Sequence, residues 1–485
     1  MKKPEKVSSD LGFFRFKKLG ENYLLTNDLG EFEILKEPEF KEFIKKGKKA
    51  HSKRAKELSE KGFLKGCLDE QEFSRRFSAK NDFLKKGTSL HIIVVTLRCN
   101  HKCLYCHASA ESMNRKELDM DKKTAKAVVD TIFQSPNKDI SIEFQGGEPL
   151  VNLPVVKFII EYAQKKNQKI GKNLLITIVS NLSLMDQKTL DWFFKRRVIF
   201  CTSIDGPAFL HDQQRIYPGG QAHDTAARWI GKIQKKYGTI GYRINALPTT
   251  TKLSLAHWRE IVDEYVKLGL PSLFLRYLNP FGLAQKTAQQ ISYTPEEFID
   301  FYRRALDYII ELNLKGENIK EGFTSLILQK IFKDASVNFL DLRSPCGAGI
   351  GQMAYNYNGD VYTCDEGRMM SQMGDESFRL GNVFKDSFAD LVSHPVVKSC
   401  CIASNLEGLP ACCQCAYKPY CGVCPVYNYK EQGNIFSQIP NNQRCKIMTG
   451  IFDAVFEKLQ DEKASGVFQK WLTPEIKEIK KKGKK

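Results

Sequence analysis

The sequence predicts an α/β chain built on a partial (βα)6 TIM-like barrel, preceded by a small strand-and-helix unit and followed by a cysteine-rich domain. Three observations carry this expectation. Between about 90 and 313, six apolar strand-like runs alternate with amphipathic helical patterns, as in a parallel sheet covered by helices. Polar and glycine-rich motifs recur where those strands end. Most of the 15 cysteines gather in two places, a loop after the first of these strands and a dense group from 346 onward. The expected units are 1–85, 86–335, 340–450 and a last helix with a basic tail, 451–485.

Residues 1–85 read as three short strands, Phe13–Phe16, Asn22–Thr26 and Glu31–Ile34, with a turn at Asn27-Asp28-Leu29-Gly30. Helices over Glu37–Lys45 and Ser52–Lys61 follow. The barrel strands are expected over Ile92–Leu97, Ile140–Phe144, Leu174–Val179, Val198–Ser203, Tyr242–Leu247 and Leu273–Leu278. Between them lie helices such as Thr124–Phe133, Val155–Lys165, Leu190–Lys195, Thr225–Lys235 and Trp258–Leu268. A sixth helix, Pro295–Leu312, starts from Thr294, an N-cap with Glu297 three residues on. Residues 314–340 read as a helical connector. Then come Cys346 and a hairpin turn, Asn358-Gly359-Asp360, that leads to Cys364. Cys412-x2-Cys415-x5-Cys421-x2-Cys424 and Cys445 follow. A helix over Met448–Lys463 and the lysine-rich Lys477–Lys485 close the chain. Cys67 and Cys201 have no partner spacing and are expected to be buried rather than ligating.

Composition narrows the class. At 485 residues the chain exceeds one ordinary domain, and 42% hydrophobic residues suffice for real cores. No apolar run approaches a membrane span, and no apolar h-region follows Met1-Lys2-Lys3-Pro4-Glu5-Lys6. A cytoplasmic, reducing location with metal ligation rather than disulfides is the expectation. The net charge of +18 fits an acidic peptide or a nucleic acid as partner, or simply a solvated basic surface.

The chemical signal is densest at Leu97-Arg98-Cys99-Asn100-His101-Lys102-Cys103-Leu104-Tyr105-Cys106. Its C-x3-C-x2-C spacing lets a tight loop present three thiolates to one metal centre. Three thiolates are one short of the usual set for a [4Fe–4S] cluster, so one iron is left open to a small molecule. Three buried cysteines, or a zinc site completed by His101 or His107, are the plainer readings.

With Tyr105 as the aromatic residue, this loop resembles the C-x3-C-x-aromatic-C signature of the radical S-adenosylmethionine (SAM) enzymes. Gln145-Gly146-Gly147-Glu148-Pro149 is similar to that family's GGEP motif. Ser180-Asn181-Leu182 and Ser203-Ile204-Asp205-Gly206-Pro207 follow in order at the next strand ends. The C-terminal cysteines resemble the SPASM extension of peptide-modifying members, with x2 in place of x3 between Cys421 and Cys424. Over nearly the whole chain the likeness is to the radical SAM maturases of His-Xaa-Ser peptide systems. Residues 1–85 resemble the winged-helix-like element that binds a leader peptide in maturases of ribosomal peptides.

The resemblance implies SAM and three [4Fe–4S] clusters. Cys99, Cys103 and Cys106 would hold the SAM-binding cluster. Cys412, Cys415, Cys421 and Cys445 would hold one auxiliary cluster, and Cys346, Cys364 and Cys424 the other. The fourth ligand of the latter stays open between Cys400, Cys401, Cys413 and an open iron. SAM contacts are expected from Tyr105, Gly146, Gly147, Glu148, Asn181, Ser203 and Arg215. The glycines would admit the methionine end closely, and Glu148 would accept from its amino group. Asp365 matches the general-base position of related sulfatase maturases and reads equally as a structural aspartate. Asp205 is expected to hold the strand-end turn, with His211 and Asp212 near substrate or SAM. The implied reaction is hydrogen abstraction by a 5′-deoxyadenosyl radical from a His-x-Ser precursor, ending in a crosslink; epimerisation and thioether formation stay open. Implied partners are a precursor with its leader segment, a flavodoxin- or ferredoxin-like electron donor and other maturation proteins of the same system, rather than a membrane or a nucleic acid.

Other readings stand beside this one. A radical SAM enzyme acting on nucleic acid would use the basic run Lys45–Arg54. Sulfatase-maturase-like protein oxidation is a second. A non-catalytic adaptor built on zinc ribbons is a third.

Overall fold

The computed structural model describes residues 7–472 apart from 51–52, 243, 334–335, 338, 437 and 439–440. The stretches Met1–Lys6 and Lys477–Lys485 lie outside the described residues.

Strands β1 (Arg15–Leu19), β2 (Asn22–Thr26) and β3 (Phe32–Lys36) form an antiparallel sheet in that order. The first lies two to three residues beyond its expected place, because Arg15 pairs with Thr26 and Leu19 with Asn22 around a Gly20-Glu21 turn. Helices Glu37–Lys46, Lys53–Glu60 and Glu70–Lys80 follow. Leu25, Leu35, Phe40, Phe43 and Phe63 make a small core of their own. The unit is bound to the far end of the chain: Lys17 pairs with Asp453 and Thr26 Oγ1 donates to the Ala416 carbonyl at 2.7 Å. Arg54 and Lys61 donate to the carbonyls of Ile34 and Phe32 on β3. At β1, Phe13 and Phe16 are exposed.

The main sheet contains β4 (Leu90–Val94), β5 (Asp139–Gln145), β6 (Asn173–Val179), β7 (Ile199–Ser203) and β8 (Asn245–Leu247), all parallel. Helices between them bury one face each. Lys122–Ile132, for example, buries Ala125, Val128, Val129 and Ile132, at helical spacing, and is N-capped by Asp121. Burial of each valine or isoleucine among them contributes roughly 1.5–3 kcal/mol. On β5, Ile140, Ile142 and Phe144 are buried in the core, while the alternating Glu143 and Gln145 line a cavity on the other face.

The sixth expected strand is much reduced. Only Ser272–Leu273 is extended, paired with Lys320–Glu321. Beyond it the backbone is satisfied otherwise: Leu275 N–H donates to Glu321 Oε1, and Leu278 N–H to the Tyr293 hydroxyl. The sheet instead gains a strand from the cysteine-rich region. β9 (Gln352–Tyr355) pairs in parallel with β4, and β10 (Asp360–Tyr362) and β11 (Arg379–Asn382) continue antiparallel. The order is β8-β7-β6-β5-β4-β9-β10-β11. The helix expected over Met448–Lys463 runs over Gln443–Lys458, capped by Asn442, and a further helix covers Glu462–Leu472. Among the described residues no helix is long and apolar enough to cross a membrane.

Candidate active site

The loop that follows β4 is fastened on three sides. Cys99 N–H donates to the Glu111 carbonyl, Leu104 N–H to that of Gln214, and Leu283 N–H to that of Cys106. Within it, Cys99 Sγ accepts from His101 N–H at 3.4 Å and Cys106 Sγ from Ala110 N–H at 3.5 Å. Such bonds stabilise thiolates over thiols. Arg215 lies 3.9 Å from Cys103 Sγ.

Gly146 and Gly147 pack directly on this loop. A Cβ on Gly147 would fall 2.2 Å from the Arg98 carbonyl oxygen, and one on Gly146, whose φ is +118°, 2.6 Å from that of Thr96. Their bareness therefore serves first the backbone leading to Cys99, beyond the close approach of SAM that the sequence predicts. Glu148 is buried. It accepts from Ser180 Oγ at 2.8 Å, Asn181 N–H at 2.8 Å and Leu150 N–H at 3.0 Å, tying two strand ends together. Burial pushes its carboxyl up to about 7 despite those bonds. Asn181 Nδ2 donates to Asn100 Oδ1 at 3.0 Å.

A second knot lies under the loop. Asp205, fully buried, accepts from the Tyr105 hydroxyl, from Arg215 Nε at 2.9 Å and from Thr249 N–H at 3.0 Å. Arg215 also lies over the Tyr105 ring. Burial pushes the Cys103 thiol up to about 12, against the pull of Arg215. His211 accepts from Asp205 N–H and Asp212 from His223 N–H, so both brace the backbone.

One cavity of about 390 Å³ gathers most of the residues singled out in the sequence: Cys99, Cys103, Cys106, Tyr105, Gly146, Gly147, Glu148, Asn181, Ser203, Arg215, Asp365 and Cys424. It also takes in Glu143, Gln145, Arg276, Asn279, Glu366 and Arg444, which sequence reasoning missed. For Glu143 and Gln145 the signal was present, as polar residues alternating with Ile140, Ile142 and Phe144. Asp365 Oδ1 accepts from Arg368 Nε at 2.8 Å, and Arg368 is completely buried.

The C-terminal cysteines form two groups. Cys412, Cys415, Cys421 and Cys445 line one small void with Tyr417 and Met448, and Cys424 borders it as well. Cys346, Cys364, Cys400 and Cys424 lie in one buried apolar cluster with Phe281 and Phe378. Burial raises the thiols of this second group, and repulsion from their neighbours adds to it: Cys424 and Cys400 act on Cys346, and Cys424 and Cys346 on Cys364. Cys364 and Cys424 are each the N-cap of a helix, their sulfurs accepting from Gly367 N–H and Tyr427 N–H at 3.4 Å. Cys67 and Cys201 stand in neither group and are half-buried.

The donor chemistry fits iron–sulfur clusters. A single zinc needs its ligands to converge on one point, about 2.3 Å from each sulfur. Among the described residues no group of three or more His, Cys, Asp or Glu side chains is placed to hold a single metal ion. A multi-iron cluster takes its thiolates from a wider circle, and N–H bonds to sulfur are among the features that tune it.

Comparison with known proteins agrees with this geometry. Residues 93–253 match the family model of the Radical SAM superfamily. An uncharacterized protein of Methanocaldococcus jannaschii is 30% identical over 191 residues, 39% of this chain and 62% of that protein, so the chain spans less than two thirds of it. A cysteine-type anaerobic sulfatase-maturating enzyme of Clostridium perfringens is 25% identical over 64% of this chain and 82% of its own. The solved structure of native anSMEcpe with bound AdoMet superposes with a TM-score of 0.65 at 20% identity, over 78% of this chain and 100% of that one. Streptococcus suis SuiB bound to precursor peptide SuiA gives 0.52 at 16% identity, over 88% and 97%. The match to the Radical SAM superfamily thus falls on residues 93–253, the stretch that holds the three-cysteine loop and the glycine motif packed against it.

Proposed function

We propose that this chain modifies a ribosomally made peptide or protein by radical SAM chemistry, with a His-x-Ser precursor as substrate and a crosslink as product. The observation that carries the proposal is the shared cavity, in which the three-cysteine loop faces Asp365 and Cys424 of the C-terminal region. A substrate side chain entering it meets both. The relatives and neighbours whose names specify a sulfatase, a precursor peptide or its maturation support a polypeptide substrate.

Cys99, Cys103 and Cys106 would hold the SAM-binding [4Fe–4S] cluster. SAM bound there would supply hydrogen-abstracting radical chemistry once a flavodoxin- or ferredoxin-like donor delivers one electron to the cluster. Glu148 would accept from the SAM amino group, and Asn181, Ser203 and Gly146 would line its place. Tyr105 and Arg215, locked by Asp205, would hold the loop in position while lining the cavity beside SAM. Asp365, held by Arg368, would take up the proton released at the substrate. Cys346, Cys364 and Cys424 would hold one auxiliary cluster and Cys412, Cys415, Cys421 and Cys445 another, and these would take up the electron released at the substrate. The sheet β1–β3 would receive the leader segment at β1, since side chains already occupy two carbonyls of β3.

The test is the intact mass of a His-x-Ser precursor after anaerobic co-expression. A loss of two hydrogens per modified motif, absent with Cys99→Ala, is expected. Unchanged mass, with no deuterium uptake from heavy water, would overturn the proposal.

A further inference from the structure

We propose that Cys400 completes a four-thiolate set with Cys346, Cys364 and Cys424, making the first auxiliary site a fully ligated [4Fe–4S] centre. The inference rests on the reading that the C-terminal cysteines hold iron–sulfur clusters. Sequence spacing left this ligand undecided, because Cys400 belongs to no short cysteine motif. It comes from the middle of the helix Pro395–Ser404, in a stretch between the hairpin cysteine and the Cys412 group.

The geometry selects it among its neighbours. Cys400 is 1% exposed and lies in the same apolar cluster as the other three. One hydroxyl fixes its helix against Cys346: Ser404 Oγ accepts from Cys346 N–H at 2.8 Å and donates to the Cys400 carbonyl at 2.6 Å. The helix also closes on the turn after Cys346, where a Cβ on Gly349 would fall 2.6 Å from Val397. Cys401, one residue on, points about 100° around the helix and lines a different cavity with Lys330 and Arg343. Cys413 is half-buried, and its thiol donates to the Pro410 carbonyl at 3.2 Å. Four cysteines buried together without a ligand leave four weakly satisfied thiols in an apolar core. As thiolates on iron, each having released its proton, they gain the partner that the surroundings lack.

The test uses the full chain with Cys99, Cys103 and Cys106 all changed to Ala, purified without oxygen, so that only the C-terminal sites carry iron. About eight irons per chain are expected. Adding Cys400→Ala is expected to lower the count to about seven or fewer, with the electron paramagnetic resonance signal of a three-iron cluster after mild oxidation. Cys401→Ala and Cys413→Ala are expected to leave count and spectrum unchanged. Cys400→Ser, which keeps the volume and offers oxygen, is expected to retain iron with an altered spectrum, and its circular dichroism reports folding. Full iron and an unaltered spectrum in both Cys400 variants would overturn the inference and leave an iron open. Loss of iron with Cys401→Ala or Cys413→Ala alone would overturn it as well. A parent variant holding zinc, or no metal, would overturn the cluster reading itself.

Discussion

His91 on β4 and Tyr355 on β9 meet across the seam between the barrel sheet and the cysteine-rich region, with Nδ1 and the phenol oxygen 3.1 Å apart. Both are fully buried. Burial pushes the His91 ring from 6.5 down to about 3, so it is neutral in the fold. The unfolded chain takes up a proton near 6.5 and the folded chain does not, so stability from this site is complete above 6.5 and falls as pH drops. The slope is about 1.4 kcal/mol per unit, or about 2 kcal/mol between 6.5 and 5. Denaturant melts of the metal-free protein at several pH values, compared with His91→Phe, are expected to show a shallower acid loss in the variant. Equal slopes would mean that His91 is not the titrating group.

Asp205→Asn leaves the buried Arg215 without its counter-charge and is expected to cost about 3–5 kcal/mol. Tyr105→Phe removes only one hydrogen bond and is expected to cost about 1 kcal/mol. Urea midpoints of the two variants would rank them.

Gly147→Ala forces a methyl group into the Arg98 carbonyl. The loop must move, at roughly 1–3 kcal/mol. The expected result is loss of the iron bound by Cys99, Cys103 and Cys106, about four atoms per chain, with the C-terminal iron retained. Iron analysis with and without the C-terminal cysteines separates the two.

Glu148 titrates near 7 before SAM binds. A carboxylate that must be ionised to meet an ammonium group predicts SAM affinity rising with pH through about 7. Glu148→Gln is expected to bind SAM roughly 10–100-fold more weakly with no such rise, as the loss of one charge-assisted contact predicts. Equilibrium binding across that pH range decides it.

Asp365→Asn keeps the shape of the Arg368 contact but cannot take a proton. Iron content and melting are expected to stay near wild type while product yield falls at least tenfold. Yield unchanged would make Asp365 a structural residue.

Much of this was legible in the chain. The alternation of apolar strands with helices, the Thr294-Glu297 capping box and the strand-end motifs all rest on local periodicity and short spacing. Glu143 and Gln145 were readable from their alternation but carried no motif. Arg276 and Arg444 were not readable, and Cys400 stood only as one candidate beside Cys401 and Cys413, because each reaches its place through long-range packing that no spacing encodes. The sixth strand misled for a related reason: Leu273–Leu278 is apolar enough for a strand, but Glu321 and Tyr293 take its hydrogen bonds.

The pairing of Leu90 with Gln352 and Ile93 with Tyr355 has a consequence for how the molecule is made. A ribosome releases the first barrel strand long before it has synthesised the one that covers its flank. During that interval one side of Leu90–Val94 lacks its final partner, a template for wrong pairing. Completion of this sheet is thereby deferred until the chain has been made beyond Tyr355.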